Sequence, residues 1–168
     1  VTLTKHSKLD DFLKEFPNID SLLIHINSVT ATQNKEAILN IHNALDQDMA
    51  LIIFPSGEVS RASSTGIKDK KWQKGFLKFA QRSSSPILPV FIGGKNSKTF
   101  YSLSALNKKL STMLLSDEMF KQKDKTIEIT IGEIVPAENI IPQGLQQAQI
   151  IECIKNRFIT SKKIKVFF

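Results

Sequence analysis

The chain has 168 residues, of which 41% are hydrophobic, and its 23 Lys and Arg outnumber its 16 Asp and Glu to give a formal net charge of +7. This length suits one domain, 1–168, with one core, and the composition excludes a disordered chain. No apolar run approaches the ~20 residues needed to cross a bilayer. One cysteine and three scattered histidines predict no metal site.

The positive charge favours an anionic partner, which could be nucleic acid, anionic lipid or acyl-carrier protein. Part of this charge lies in a basic and aromatic tail, residues 153–168, which holds five Lys or Arg and no acid. The tail fits either a membrane-surface segment or, with solvated lysines, a final helix and strand or a frayed end. Nucleic-acid binding is not expected, because neither an interleaved aromatic pattern nor zinc-ligand spacing is present.

Hydrophobic periodicity predicts helices and strands that alternate along the chain. In chain order we expect a short amphipathic helix over 7–16, a strand over 22–26, a helix over 34–45, a strand over 49–54, a loop over 60–71, a helix over 72–81, a strand over 86–92, a broken helix over 99–115, a strand over 126–131 and a helix over 143–158. This order predicts a single-domain α/β fold, with a mostly parallel or mixed sheet flanked by helices.

The first candidate site segment follows the apolar run at 49–54, where Pro55 and Gly57 stop the predicted central strand. In open α/β sheets, ligands bind beyond the carboxyl ends of the strands. Gly57 permits unusual backbone angles, Ser56 and Ser60 offer hydroxyl groups, and Arg61 can form a bidentate contact with a phosphate or carboxylate. An ordinary strand-to-loop turn is the alternative interpretation.

The second candidate segment runs from Pro86 to Ser97. Proline removes a donor from a sheet ladder, so Pro86 and Pro89 inside an apolar run predict an irregular or edge-like strand start beside a pocket. The strand is followed by Gly-Gly-Lys-Asn-Ser, which places Asn96 and Ser97 at its end. This is not a phosphate-binding P-loop, because no glycine stands at the required position before the lysine.

Four blocks of the sequence together resemble the 1-acyl-glycerol-3-phosphate acyltransferase superfamily. Residues 54–61, Phe-Pro-Ser-Gly-Glu-Val-Ser-Arg, resemble its Phe-Pro-x-Gly block, and most closely the form in the branch labelled hemolysin, which is similar to ornithine-lipid acyltransferases. Residues 86–90 resemble its Pro-Val-x-Pro-Val block, residues 92–101 its Gly-x-Asn-Ser-x-x-Phe-Tyr run, and residues 129–132 its late Ile-x-Ile-Gly strand. The resemblance covers roughly residues 1–142.

The resemblance implies transfer of a fatty acyl group from a coenzyme A or acyl-carrier-protein thioester to a lipid acceptor, a lysophospholipid or an amino-lipid, with no other cofactor. It implies a cytoplasmic protein that is peripheral at the inner face of the membrane. It also implies an acceptor site lined by Phe54, Pro55, Ser56, Gly57, Glu58 and Arg61, with Pro89, Asn96 and Ser97 in the pocket. Because Ser56 and Val59 replace the family's usual acid and arginine, a glycerol phosphate acceptor is not implied. A non-catalytic module that binds anionic lipid is the alternative.

In the family a His-x-x-x-x-Asp motif supplies the general base and the acid that orients it. His6 and Asp11 have this spacing, but only 48 positions separate His6 from Phe54, and Lys5 stands where an asparagine commonly precedes the histidine. We therefore expect an N-terminally truncated sequence whose catalytic pair lies upstream, with His6 and Asp11 as the alternative pair. The other two histidines lack this spacing; we expect His25 in or beside the core and His42 exposed.

Overall fold

The structure is a computed structural model that describes residues 2–5, 17–20, 22–26, 31–64, 66–140, 147–156 and 162–167. The strands are β1 Thr2–Lys5, β2 Leu23–Ile26, β3 Arg61–Ser63, β4 Gly66–Lys68, β5 Val90–Ile92, β6 Thr126–Ile131 and β7 Lys162–Phe167. The helices are α1 Pro17–Asp20, α2 Ala31–Asp46, α3 Gly75–Arg82, α4 Lys98–Leu106, α5 Lys108–Met113, α6 Leu115–Phe120 and α7 Gln147–Asn156, with a short 3-10 helix at Ala137–Asn139.

The described strands form three small sheets rather than one mostly parallel sheet. β1 and β2 pair in parallel, β3 and β4 form an antiparallel hairpin, and β6 lies between β5 and β7 with both pairs antiparallel. At the centre of this last sheet, Ile129 lies opposite Ile92 on one side and Ile164 on the other. The expectation of α/β elements is confirmed, while a mostly parallel sheet is not found among these strands.

The largest described core lies where α3 and α7 meet. Both helices carry apolar residues at positions i, i+1 and i+4, which places them on one face. These residues form one buried cluster with two residues from the 134–140 region: Phe76, Leu77, Ala80, Ile150, Ile151, Ile154, Val135 and Ile140. Full burial of one such large side chain contributes about 1.5–3 kcal/mol, so this cluster accounts for a large part of what holds the two helices together.

Residues 49–54 do not form the central strand that their apolar run predicts. Within residues 49–54, all of which the structure describes, only Ile52 has a β-bridge, and the side chains of Ile52 and Phe54 are 55% and 56% exposed. A continuous apolar run becomes a central strand only when neighbouring strands supply hydrogen-bond partners on both sides and elements cover both faces. Those neighbours are not found for this run among the described residues.

The loop expected over 60–71 contains the β3–β4 hairpin, in which Gly66 occupies the left-handed region with φ +105°. The strand expected over 86–92 is shorter, because Ile87 makes only an isolated bridge with Val135 and the regular strand begins after Pro89. This irregular start is the one that the two prolines predict. The helix expected over 99–115 is broken, as predicted, at Asn107 and again at Leu114.

The first predicted helix, 7–16, lies outside the described residues. The described parts of the basic tail belong to the end of α7 and to β7, which pairs with β6 over its full length. This arrangement corresponds to the simpler of the two expectations for the tail, a final helix and strand. No helix within the described ranges is long and apolar enough to cross a membrane.

Candidate functional site

A tight turn follows the apolar run, as the sequence predicts. The N–H of Gly57 donates to the carbonyl oxygen of Phe54 at 3.0 Å, which closes the turn over four residues. Gly57 has φ +65°, a left-handed conformation that costs other L-residues energy. The carbonyl oxygen of Pro55 accepts from the N–H of Gln73 at 2.8 Å, so the turn is tied to the segment that leads into α3.

Gly57→Ala is expected to lower the free energy of unfolding by about 1–2 kcal/mol, because alanine has to adopt the left-handed backbone that glycine adopts without strain. A Cβ built at this position meets no atom within 4 Å, so the cost comes from the backbone alone. Urea unfolding measures it, with Gly57→Asn as the matched variant that tolerates this conformation better. An equal loss of unfolding free energy in the alanine and asparagine variants would contradict the left-handed backbone as the cause.

The turn positions Glu58 between two basic side chains. The hydroxyl of Ser56 donates to the carbonyl oxygen of Glu58 at 2.7 Å and fixes the backbone after the turn. The Oε1 atom of Glu58 accepts from Nζ of Lys70 at 2.6 Å, and its Oε2 atom lies 3.8 Å from Nε of Arg61. Glu58 therefore holds two cations at the base of the β3–β4 hairpin.

Arg61, the first residue of β3, is held by groups from two helices. One terminal nitrogen of its guanidinium donates to Oγ of Ser111 at 2.6 Å, and Ser111 is fully buried on α5. The guanidinium carbon lies 5.8 Å from the ring centroid of Phe100 on α4, within the range of a cation–π interaction. The side chain of Arg61 is 16% exposed, so a mostly buried guanidinium is fixed in position by these contacts.

The second candidate segment meets the first at α4. Ser97 is the N-cap of α4, with its Oγ accepting from the N–H of Phe100 at 3.2 Å. The N–H of Asn96 donates to the phenolic oxygen of Tyr101 at 3.2 Å. Because the ring of Phe100 lies against Arg61, α4 places the Asn96–Ser97 turn and the Arg61 group in one region of the molecule.

A buried carboxylate on α6 stabilises this turn. Glu118 is 2% exposed and accepts from both the N–H and the Oγ of Ser97, the latter at 2.7 Å, and from Nζ of Lys121 at 2.6 Å. Burial raises the pKa of the Glu118 carboxyl, but the bonds from Lys121 and Ser97 and the charge of Lys121 outweigh it and bring the pKa below its ordinary value. Glu118 thus stays ionised and holds the start of α4.

The lowered pKa of Glu118 predicts the direction of the acid response. A carboxyl whose folded pKa lies below its unfolded pKa, about 4.3 for glutamate, contributes its full stability above the unfolded value. It loses that stability as the pH falls through the folded pKa. We expect the free energy of unfolding to fall more steeply on acidification for the wild type than for Glu118→Gln. Parallel curves below pH ~4.3 would contradict this role for the carboxylate.

The predicted site residues are only partly brought together. Ser56, Gly57, Glu58 and Arg61 form one group, whereas the Phe54 side chain points to solvent and is more than half exposed. Pro89 is buried in the sheet region, where its carbonyl oxygen accepts from the N–H of Gly132 at 2.9 Å. No described contact joins it to the Arg61 group.

The histidines do not add a base to the described site. His6, Asp11 and the side chain of His25 lie outside the part of the chain that the structure describes. The expectation that His42 is exposed is wrong: it is 8% exposed, and its ring packs edge-on against Phe79 with centroids 5.8 Å apart. His42 faces the core because α2 carries it toward α3, where an aromatic ring takes the place of water.

Three residues of the site were not predicted, namely Lys70, Ser111 and Glu118. Each reaches the site through a contact between distant segments, such as the 50-residue separation between Arg61 and Ser111. With these residues, the site presents a fixed guanidinium, a serine hydroxyl group beneath it and a Lys–Glu pair beside it. This geometry suits the binding of one anionic group, a carboxylate or phosphate, and not by itself a bond-breaking step.

The profile of the family described as Acyltransferase matches residues 5–164, which is nearly the whole sequence. The chain therefore belongs to the acyltransferase family. The matched region includes both candidate segments and the helices and strands that carry them.

Two curated relatives agree with this membership, both called lyso-glycine lipid O-acyltransferase. The protein from Bacteroides thetaiotaomicron is 31% identical over 154 residues, which cover 88% of this chain and 56% of the relative. The protein from Phocaeicola vulgatus is 31% identical over 134 residues, which cover 76% of this chain and 48% of the relative. The chain thus spans about half the length of these relatives. No solved structure shows a significant match.

Proposed function

We propose that the protein transfers a fatty acyl group from a coenzyme A or acyl-carrier-protein thioester to the hydroxyl of a lyso lipid with an anionic head, of the amino-lipid kind. The observation that carries the proposal is Arg61, fixed by Ser111 and Phe100 within a chain of the acyltransferase family. A lyso lipid built on glycine offers a carboxylate that a guanidinium can bind through two parallel hydrogen bonds. The names of the two relatives support an acceptor of this class and transfer to oxygen.

The reaction moves one proton and one acyl group. The acceptor hydroxyl gives its proton to a general base, and its oxygen attacks the thioester carbonyl carbon. The carbon–sulfur bond then breaks, and the thiol leaves with a proton while the new ester forms. The Arg61 group contributes orientation of the acceptor head rather than proton transfer, since binding in one geometry alone can supply a large part of the barrier reduction.

Incubation with an acyl-coenzyme A or acyl-carrier protein and a lyso-glycine lipid tests the proposal. We expect release of the free thiol and, by mass spectrometry, formation of the diacylated product. Binding of the protein to anionic lipid with no consumption of the thioester would contradict the enzyme and favour the alternative, a non-catalytic lipid-binding module. Phosphate-headed lyso lipids in the same assay decide between an amino-lipid and a lysophospholipid.

The general base is assigned by a second experiment on the same assay. The family's His-x-x-x-x-Asp spacing occurs in this sequence at His6 and Asp11, which are therefore the pair to test. His6→Ala and Asp11→Asn are expected to leave acyl transfer unchanged, because Lys5 stands where an asparagine commonly precedes the family's catalytic histidine. Loss of transfer in both variants, with an unchanged melting temperature, would assign the catalytic pair to His6 and Asp11.

We further propose that the protein acts in the cytoplasm, peripherally at the inner face of the membrane, because its lipid acceptor resides in a bilayer and its surface carries a formal charge of +7. Anionic lipids give that face of the membrane a negative potential that attracts basic proteins. Cell fractionation tests this location: the protein is expected in the membrane fraction at low salt and in the soluble fraction at high salt.

A further inference from the structure

The segment that joins α4 to the end of α6 exposes several large apolar side chains. Leu106 is 86% exposed and Phe120 65% exposed, and the remainder are about half exposed: Leu110, Met113 and Met119. Single exposed apolar residues are common on proteins, but five on three consecutive short helices form a concentration that calls for an explanation. These five side chains are called the helix face below.

On α5 the exposed and buried positions divide clearly. Leu110 and Met113 are separated by three residues, so they lie on the same side of the helix, and both are about half exposed. Ser111, between them in sequence, is fully buried and accepts a hydrogen bond from Arg61. One helix therefore touches the candidate acceptor site with its inner side and presents apolar side chains with its outer side.

The segment that carries the helix face is rich in lysine. Residues 98–125 contain six lysines and three acids, and one of the acids, Glu118, is buried in its bonds with Ser97 and Lys121. The lysines Lys123 and Lys125 follow directly after Phe120 and are exposed. Apolar side chains beside exposed lysines match the interface of an anionic bilayer, which takes the apolar groups among its acyl chains and the ammonium groups at its phosphates.

We propose that the helix face docks on the surface of an anionic lipid bilayer and so places the Arg61 site next to the membrane. The inference rests on the proposed function, because a lyso lipid acceptor has to reach Arg61 from a bilayer without exposing its acyl chain to water. The basic tail is a weaker candidate for this contact, since β7 is paired with β6 and Lys163 bonds to Glu128 at 3.0 Å.

Vesicle flotation tests the proposal on the full chain. The wild type is expected to float with vesicles that contain phosphatidylglycerol and to float much less with phosphatidylcholine alone. The pair Met113→Ser and Phe120→Ser is expected to weaken binding by roughly tenfold or more, since two apolar side chains no longer leave water. The pair Lys123→Gln and Lys125→Gln is expected to weaken it about 25-fold, at about fivefold for each lysine near the surface.

Matched controls keep the same chemical changes away from the helix face. The pair Leu88→Ser and Ile134→Ser removes two side chains that are 50% and 59% exposed, and the pair Lys35→Gln and Lys78→Gln removes two exposed positive charges on α2 and α3. These controls are expected to bind vesicles within about twofold of the wild type, as surface changes away from a contact do. The proposal would be overturned if the controls lost as much vesicle binding as the helix-face variants, or if the wild type did not float. It would also be overturned if self-association in solution covered the helix face.

A second readout separates this proposal from the proposed function. With a short-chain acceptor dispersed as monomers, the helix-face variants are expected to transfer acyl groups as fast as the wild type, and to be slow only when the acceptor is in vesicles. Helix-face variants that match the wild-type rate on both acceptor forms would overturn the docking surface but not the proposed enzyme activity. Vesicle binding localised to the helix face, with no transfer to either acceptor, would instead support the surface and reject the enzyme.

Discussion

Arg61→Ala is expected to lower kcat/KM for an anionic lyso lipid acceptor by about 100-fold, because a hydrogen-bonded charge contact contributes about 1.5–3 kcal/mol. The guanidinium is mostly buried and is held by Ser111 and Phe100, so its removal deletes a donor group whose position is fixed. The loss is expected mainly in the KM for the acceptor, with the KM for the acyl donor unchanged. Steady-state kinetics with each substrate varied separately measure both.

Two variants control this experiment. Arg61→Lys keeps the charge but not the planar pair of donors, and is expected to recover only part of the activity. Arg82→Ala makes the same deletion at an exposed arginine in the last turn of α3 and is expected to leave the kinetics unchanged. Transfer by Arg61→Ala within twofold of the wild type would show that the acceptor head binds elsewhere.

Phe100→Ala is expected to produce the largest loss of stability, about 3–5 kcal/mol in the free energy of unfolding. The ring is fully buried, packs edge-on against Tyr101 with centroids 5.5 Å apart, and lies against the guanidinium of Arg61. Its removal leaves a cavity at the junction of the two candidate segments. A loss of this size corresponds to a fall of roughly 10 °C in melting temperature for a domain of this length.

Phe120→Ala is the matched control for Phe100→Ala, because it deletes the same ring from a position that is 65% exposed. It is expected to change the free energy of unfolding by less than about 0.5 kcal/mol in aqueous solution. Phe100→Leu fills part of the cavity and is expected to lose less stability than Phe100→Ala. Equal losses at positions 100 and 120 would contradict the burial that the structure assigns to Phe100.

Local sequence patterns predict those elements that are defined by the spacing of their own apolar and polar residues. β6 was predicted with its observed bounds, because isoleucine alternates with polar residues over Thr126–Ile131, which is the period of a strand. A break in the helix over 99–115 was also predicted, but not its position at Asn107, whose side chain accepts from the N–H of Leu110 at 3.2 Å. The run at 49–54 could not be decided in this way, since its state depends on strands contributed from elsewhere in the chain.

The site shows the same division between local and distant information. The turn at Gly57 follows from neighbouring residues and was predicted from them, whereas anion binding by Arg61 stays a prediction. Ser111 and Glu118 were not predicted, because one buried serine and one acid in a lysine-rich helix have no local signature. Their roles exist only because folding brings α5 to Arg61 and α6 to Ser97.

The most direct test of the central claim is the energetic coupling between Arg61 and the acceptor's carboxylate. Acyl transfer is measured for the wild type and Arg61→Ala, each with a lyso-glycine lipid and with its methyl ester, which has the same chain but no negative charge. The account predicts that replacing the acid by its ester lowers the wild-type rate about as much as Arg61→Ala does. In Arg61→Ala, the same replacement is expected to lower the rate little further. Independent, multiplying losses would contradict binding of the acceptor's carboxylate by Arg61.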